Sequence, residues 1–279
     1  MRVLITGGGG MLARAVRLEL ERRGHEVHAP DRAVLDITDA AAVERAIREL
    51  RPDAVIQGAA YTRVDDAERE EELAFAVNAT GTAHVARACR EVGARFLYPS
   101  TDYVFDGEAS VPYTPGAATN PLNAYGRSKL AGEAAAREAR DYLVVRTSWL
   151  YGAGGRHFVG TILARAREGQ PLRVVDDQHG SPTWTADLAA VLVGLLERGA
   201  PPGVYHATNS GHTTWYGLAR EALRLAALDV EIEPVTTEAF PRPARRPRYS
   251  VLDCSATEAL VGPIRDWREA LAEALRAGV

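Results

Sequence analysis

The sequence predicts an α/β protein, a doubly wound parallel sheet followed by a smaller C-terminal lobe, and three observations carry this. Apolar strand runs alternate with helical patterns through the first half, a glycine cluster joins the first strand to the first helix, and the punctuation changes after about residue 150. Arg2–Thr6 is an apolar run, and Leu12, Val16 and Leu20 fall at helical spacing within Met11–Arg23. A short strand near Glu26–Ala29 follows, then a helix opening around Thr38 and Asp39 and running to Leu50, then a strand over Ala54–Gln57 behind Pro52. One helical region is predicted from Glu68 to Val92, with Arg95–Pro99 as the next strand. Thr101–Pro121, rich in Gly, Pro, Thr and Asp, reads as a loop, and a loop of that length inside a compact domain is usually functional. The helix Tyr125–Arg140 and the strand Tyr142–Thr147 complete the repeated βα order. Beyond it, Pro171, Pro182, Pro201, Pro202, Pro234 and the stretch Phe240–Arg248 separate shorter elements, while a helix at about Thr185–Arg198 is expected to share the first core.

Composition bounds the function. The 279 residues are 46% hydrophobic, enough for a full core, and the net charge of -4 comes from basic and acidic residues scattered along the chain. No basic stripe points to nucleic acid and no long apolar run points to a membrane. The strand that follows Met1 directly, without a cationic and apolar leader, predicts a cytoplasmic protein. Cys89 and Cys254 lack CxxC or Cys/His ligand spacing and read as ordinary thiols. Of 33 basic residues, only Lys129 is a lysine.

Gly7-Gly8-Gly9-Gly10-Met11-Leu12-Ala13 lies between a predicted strand and a predicted helix, the context a dinucleotide fingerprint requires. Glycine permits the tight turn and lets backbone N–H groups approach a pyrophosphate at the positive helix end. Residues 1–150 are therefore expected to form a Rossmann-like dinucleotide-binding domain, and 151–279 a smaller substrate-binding lobe with segments returning to the core. Asp31, just past the second strand, stands where an acid binds a ribose 2′-hydroxyl, and Arg32 beside it could instead meet a 2′-phosphate. NADPH and NADH both stay open on these residues.

Tyr125 and Lys129 are four apart at a helix start and so share one face. A phenol ionises near pH 10, and a nearby ammonium favours its charged form, which poises it for proton transfer to a carbonyl oxygen. With 10 tyrosines in 279 residues, one lysine falls four after a tyrosine by chance about one time in 28. The spacing gains weight from the polar loop before it, from Ser100-Thr101 at a strand end, and from the use of lysine only here.

These residues resemble the extended short-chain dehydrogenase/reductases, and among them the dTDP-4-dehydrorhamnose reductases, over nearly the whole chain. The likeness runs through Ala59–Glu68, Val77–Gly81, Ser100–Gly107, Pro121–Lys129, Arg146–Gly152, Asp176–Thr183 and Arg246–Asp253, in order and at spacing. It implies reduction of a dTDP-linked 4-keto-deoxysugar with NADPH or NADH, hydride coming from the nicotinamide. It implies that Tyr125 donates a proton to the C4 oxygen, that Lys129 holds the nicotinamide ribose and tunes Tyr125, and that Thr101 completes a hydrogen-bonded triad. The resemblance further places Gly10, Met11 and Leu12 on the pyrophosphate, Asp36 and Ile37 near adenine, and Ala60, Tyr61 and Thr62 along the cofactor. Thr101, Asp102 and Trp149 would face the deoxysugar, Trp149 with an apolar plane.

Two departures narrow what carries over. Family members that bind magnesium between subunits resemble one another in an acid of the first helix where this chain has Ala15, so no metal site is expected. His157 stands where the likeness would place Asn before Phe158-Val159. A homodimer stays open as an assembly. Two alternatives also remain: a sibling 4-ketoreductase making another deoxysugar, and a non-catalytic nucleotide-binding subunit such as the regulatory subunit of methionine adenosyltransferase, which resembles the same family.

Overall fold

The computed structural model describes Met1–Val279. Its first half contains β1 (Arg2–Thr6), α1 (Met11–Arg22), β2 (Glu26–His28), α2 (Ala40–Leu50) and β3 (Ala54–Gln57). There follow α3 (Glu71–Phe75), α4 (Thr82–Val92), β4 (Arg95–Thr101), α5 (Ala124–Ala136) and β5 (Tyr142–Thr147). The second half adds β6 (Leu150–Tyr151), α6 (Phe158–Arg167), β7 (Leu172–Val175), β8 (His179–Gly180), β9 (Thr183–Trp184) and α7 (Thr185–Glu197). It ends with β10 (Gly203–His206), β11 (Thr213–Thr214), α8 (Trp215–Leu225), β12 (Ile232–Val235), α9 (Ser255–Val261) and α10 (Trp267–Arg276).

Six strands form one parallel sheet in the order β10-β5-β4-β3-β1-β2, the fold of a Rossmann-like doubly wound protein. The apolar run of β1 is buried because helices cover both faces of the sheet. On one face Leu20 of α1 and Leu188, Leu192 and Leu195 of α7 pack with Val3, Ile5 and Ile56. On the other, Val43 and Ile47 of α2, Val85 of α4 and Ala136 of α5 pack with Leu4, Val55 and Phe96. Each such buried Leu, Ile or Val contributes about 1.5–3 kcal/mol against exposure. The segment after residue 150 thus returns three times to the first core, with α7 as a layer helix, β10 as the edge strand and α9 packed against them through Leu260 and Val261. Its other elements surround a separate core of Tyr151, Leu163, Leu172, Leu218, Trp267 and Leu271. No helix is long and apolar enough to cross a membrane.

The helix expected over residues 68–92 is broken. A 3-10 turn at Asp66–Glu68, α3, and a π-turn at Ala76–Gly81 precede α4. The wide turn lets the buried Asn78 side chain accept from the Tyr61 N–H at 2.8 Å and donate to the Tyr61 carbonyl and Ser128 Oγ. Helical periodicity continues through such a turn, so the sequence pattern does not register it. The expected strand Arg95–Pro99 extends to Thr101, and the expected helix Tyr125–Arg140 ends in a 3-10 turn at Arg137–Ala139.

Candidate active site

The glycine turn between β1 and α1 approaches the next crossover closely. Gly7 has φ 67, and a Cβ there would stand 2.7 Å from the Ala59 backbone. The first intrahelical bond of α1 is from Arg14 N to the Gly10 carbonyl, so the amides of Met11, Leu12 and Ala13 open the helix without an intrahelical partner. A cavity of about 390 Å³ lies beside this turn, lined among others by Gly7, Gly10, Arg32, Asp36, Ile37, Ala60, Tyr61 and Thr62. Small residues, a helix N-terminus and a cation at one end fit a dinucleotide.

Asp31 is not brought to this groove. Its Oδ1 accepts from Ala33 N at 2.9 Å and Val34 N at 3.2 Å, closing its own turn. Arg32 does line the groove, donating Nε–H to Asp36 Oδ2 at 3.1 Å. Met11 and Leu12 open the helix rather than wall the cavity.

Tyr125 begins α5, whose start is fixed on three sides. The Asn123 side chain accepts from Gly126 N at 2.8 Å as the N-cap, and its Nδ2 donates to the Arg245 carbonyl at 2.8 Å. Ala124 N donates to Glu68 Oε1 at 2.7 Å. A Cβ at Gly126 would lie 2.2 Å from the Tyr103 carbonyl, so α5 can meet the turn after β4 only with glycine there. The Tyr125 ring packs against the cluster of Tyr61, Ala67, Ala74 and Ala124 and meets the Tyr103 edge at 5.9 Å.

Lys129 is 3% exposed. Its Nζ donates to the Pro99 carbonyl at 2.7 Å and stands 4.0 Å over the Tyr98 ring. Burial pushes its ammonium down to about 7, against the upward pull of Glu133. Burial also pushes the Tyr125 phenol up to about 12, against the pull of the Thr101 hydroxyl. The expected lowering of the phenol by the lysine is therefore not what this geometry delivers: desolvation and Asp102 raise the phenol, only the Thr101 hydroxyl opposes them, and Lys129 faces β4.

Thr101 ends β4 and caps a 3-10 turn at Asp102–Val104, its Oγ1 accepting from Tyr103 N at 3.2 Å and donating to Asp102 Oδ1 at 3.1 Å. Asp102 is 2% exposed, and its Oδ2 has no hydrogen-bond partner. Burial raises its carboxyl to about 7, opposed by the nearby Ser250 hydroxyl and the hydrogen bond from Thr101. Trp149, at φ 49, stacks its indole on Trp215 at 3.6 Å and 8°, so one plane expected to face a sugar is filled by another side chain.

A second cavity of about 420 Å³ lies on the Tyr103 side, lined by Tyr103, Phe158, Trp215, Gln178 and five arginines: 165, 173, 242, 245 and 246. Arg173 pairs with Glu233, and Arg242 and Arg246 with Asp65. Asp65 is held at about 2; burial raises it, but the bonds from Arg246 and Arg242 prevail. Arg165 and Arg245 have no carboxylate partner. Sequence reasoning missed this cleft wall, and also Glu133 and Arg146, a buried ion pair behind Lys129 with Arg146 Nη2 2.8 Å from Glu133 Oε2. The signal for Arg146 was present: a charged residue inside the apolar strand 142–147. His157 accepts from Gly160 N at 3.1 Å and so caps α6 as an asparagine would. No group of three or more His, Cys, Asp or Glu side chains is placed to hold a metal ion.

A family model described as RmlD substrate binding domain matches residues 1–278. A dTDP-4-dehydrorhamnose reductase of Streptomyces griseus is 50% identical, over 99% of this chain and 93% of that protein. A dTDP-4-keto-6-deoxy-D-glucose reductase of Streptomyces niveus is 42% identical, over 98% of this chain and 96% of that protein. The solved structure of a dTDP-4-dehydrorhamnose reductase from Bacillus anthracis, in complex with NADP, superposes with a TM-score of 0.95 at 39% identity, covering 99% of each chain.

Proposed function

The chain belongs to the family of the RmlD substrate binding domain, and from that premise we propose that it reduces dTDP-4-dehydro-6-deoxy-L-mannose (dTDP-4-dehydrorhamnose) at C4 to dTDP-L-rhamnose. The observation that carries this reading is the position of Tyr125, whose ring packs on the cluster holding Tyr61, a wall of the glycine-lined groove, and meets Tyr103, a wall of the arginine-lined cleft. In the same reading, residues 1–150 hold the dinucleotide and 151–279 hold the sugar nucleotide, while α7 and β10 brace the first core.

When bound, the nicotinamide supplies a hydride to C4 of the sugar. The protein supplies the proton: Tyr125 O–H donates to the C4 oxygen, turning the ketone into a hydroxyl. A phenol raised to about 12 is fully protonated at neutral pH and is therefore loaded for reduction. Lys129 holds the nicotinamide ribose and offsets the phenolate left behind. Thr101 orients the phenol and the C4 oxygen, and the unpartnered Asp102 Oδ2 faces the need of a sugar hydroxyl. Met11 and Leu12 offer backbone amides to the pyrophosphate, with Gly7 and Gly10 giving it room. Ile37 and Asp36 flank the adenine, and Ala60, Tyr61 and Thr62 run along the cofactor. Arg32 favours NADPH, because it can meet a 2′-phosphate while Asp31 is occupied in its own turn. Arg165 and Arg245 give the cleft its free positive charge for the substrate diphosphate, and the stacked Trp149–Trp215 pair gives it an apolar floor.

The test couples a dehydratase and a 3,5-epimerase to this protein, follows loss of reduced-nicotinamide absorbance, and identifies the sugar made. Oxidation of NADPH with dTDP-L-rhamnose as product is expected. Turnover that does not need the epimerase would move the protein to the 4-keto-6-deoxy-D-glucose reductase type, and no oxidation with either keto sugar would overturn the reading.

A further inference from the structure

Lys129 and Glu133 lie one turn apart on α5, both buried, at 3% and 2% exposure. Lys129 enters no ion pair; its Nζ has a carbonyl and an aromatic face for company. Glu133 instead accepts from Ser100 Oγ at 2.6 Å and from Arg146 Nε and Nη2 at 2.8 Å each. Ser100 and Arg146 are direct neighbours across β4 and β5, and the next pair in register is Thr101 with Thr147. One carboxylate on the helix therefore grips both strands one residue before Thr101.

We propose that Glu133 is a positioning residue for the Tyr125/Lys129 centre: its carboxylate anchors α5 to the ends of β4 and β5 and supplies the buried counter-charge to the Lys129 ammonium one turn away. The proposal rests on the reading of Lys129 as part of the reductase centre, but its electrostatic core does not.

The surroundings leave Glu133 as the counter-charge. From β4 only Tyr98 faces Lys129; from the turn after β4 come the buried Asp102 and the half-buried Tyr103; from α5 itself come Tyr125 and Glu133, with Arg146 of β5 behind. The π-turn at 76–81 carries no titratable group. Glu68 is turned to Ala124 N, Glu71 of α3 to Arg127, and Arg87 and His84 of α4 to Glu138 and the Ile37 carbonyl. Asp102, with its carboxyl raised by burial, acts on Tyr125. Glu133 is the group that opposes desolvation at Lys129. Arg146 shares the same carboxylate and so limits how far that support reaches.

The composition supplies the measurement. Because Lys129 is the only lysine, full-length protein grown with [ε-13C]lysine gives one side-chain signal, and its titration reads this ammonium alone. Glu133→Gln is expected to lower that midpoint by about 1 or more and to move the alkaline limb of kcat to lower pH by the same amount. E133Q strands Arg146 as a buried unpaired cation, so the paired variant E133L/R146M, which replaces the ion pair by apolar groups, keeps the question answerable in a folded protein. It is expected to show a smaller fall in the same direction, because the Arg146 cation leaves with the anion, whereas Glu133→Asp, which retains the charge, holds the midpoint. A midpoint unmoved in folded E133L/R146M, or falling as far in E133D as in E133Q, overturns the proposal. A midpoint that falls while the kcat limb stays in place supports the coupling and counts instead against a part for Lys129 in turnover.

Discussion

The two cavities whose wall residues Tyr61 and Tyr103 flank Tyr125 are built from different materials. The groove beside β1 and β3 is shaped by backbone on its phosphate side, where Gly7, Gly10, Gly58, Ala59 and Ala60 follow the strand ends, and by side chains such as Arg32, Ile37 and Tyr61 elsewhere. The cleft on the far side is shaped by long side chains, Trp215, Phe158 and five arginines, carried largely on α6, α8 and the 240–248 stretch. A backbone-walled phosphate site recognises a ligand by shape and by helix-end charge, and that part cannot be retuned by one substitution without disturbing the sheet, whereas Arg32 at its far end can be changed alone. A wall of side chains can be rewritten one residue at a time. In the proposed reading, this difference puts the constant part of the chemistry in the first region and the choice of sugar in the second.

The sharpest test lies at Tyr125 itself. Tyr125→Phe removes one oxygen and should lower kcat by about 10²–10⁴-fold, while nicotinamide binding measured by fluorescence titration stays near wild type. Near-normal turnover would remove Tyr125 as the proton donor. In the cleft, Arg245→Ala should raise KM for the sugar nucleotide about 10-fold, the equivalent of ~1.4 kcal/mol, with KM for the nicotinamide unchanged and the effect shrinking as salt is raised. A parallel loss for both ligands would erase the division between the regions. In the groove, Arg32→Ala should weaken NADPH about 10-fold against little change for NADH, read as the ratio of their kcat/KM values. An unchanged ratio would mean that backbone alone sets cofactor choice.

The smallest expected effect concerns stability. Asp102 is raised from 3.8 to about 7 in the fold. Below about pH 4 the carboxyl is protonated in folded and unfolded chains alike; between there and 7 the folded chain keeps a proton that the unfolded one releases. The fold therefore loses stability as pH rises through that window, and above it carries an ionised buried carboxylate. Asp102→Asn should raise Tm by about 3–6 °C at pH 8 and by little at pH 4, while lowering kcat/KM. A Tm gain independent of pH would show that the carboxylate is not held near neutrality.

The βα half was legible because its strands are long apolar runs and its helices have clear periodicity, and the Tyr125/Lys129 pair because a single lysine at helical spacing leaves a trace in one dimension. Glu133 left none, since its partners Ser100 and Arg146 are brought together only by the β4–β5 register. The cleft was equally hidden: β8, β9 and β11 are two residues each, too short for any period, and Arg245 reaches α5 through the Asn123 cap across 122 positions of sequence. Asp31 shows what the chain order does not tell. Its place after β2 is right for a ribose contact, but an aspartate two residues before a free amide finds that amide first.

The stacked indoles of Trp149 and Trp215 give the cleft an optical signature of its own. Two near-parallel chromophores 3.6 Å apart share their excited states, so the pair should impose a split band on the aromatic circular dichroism and dim its own emission. Whatever enters beside Trp215 perturbs that shared state. Arrival of the sugar nucleotide can then be followed without a label and without turnover, independently of events in the groove.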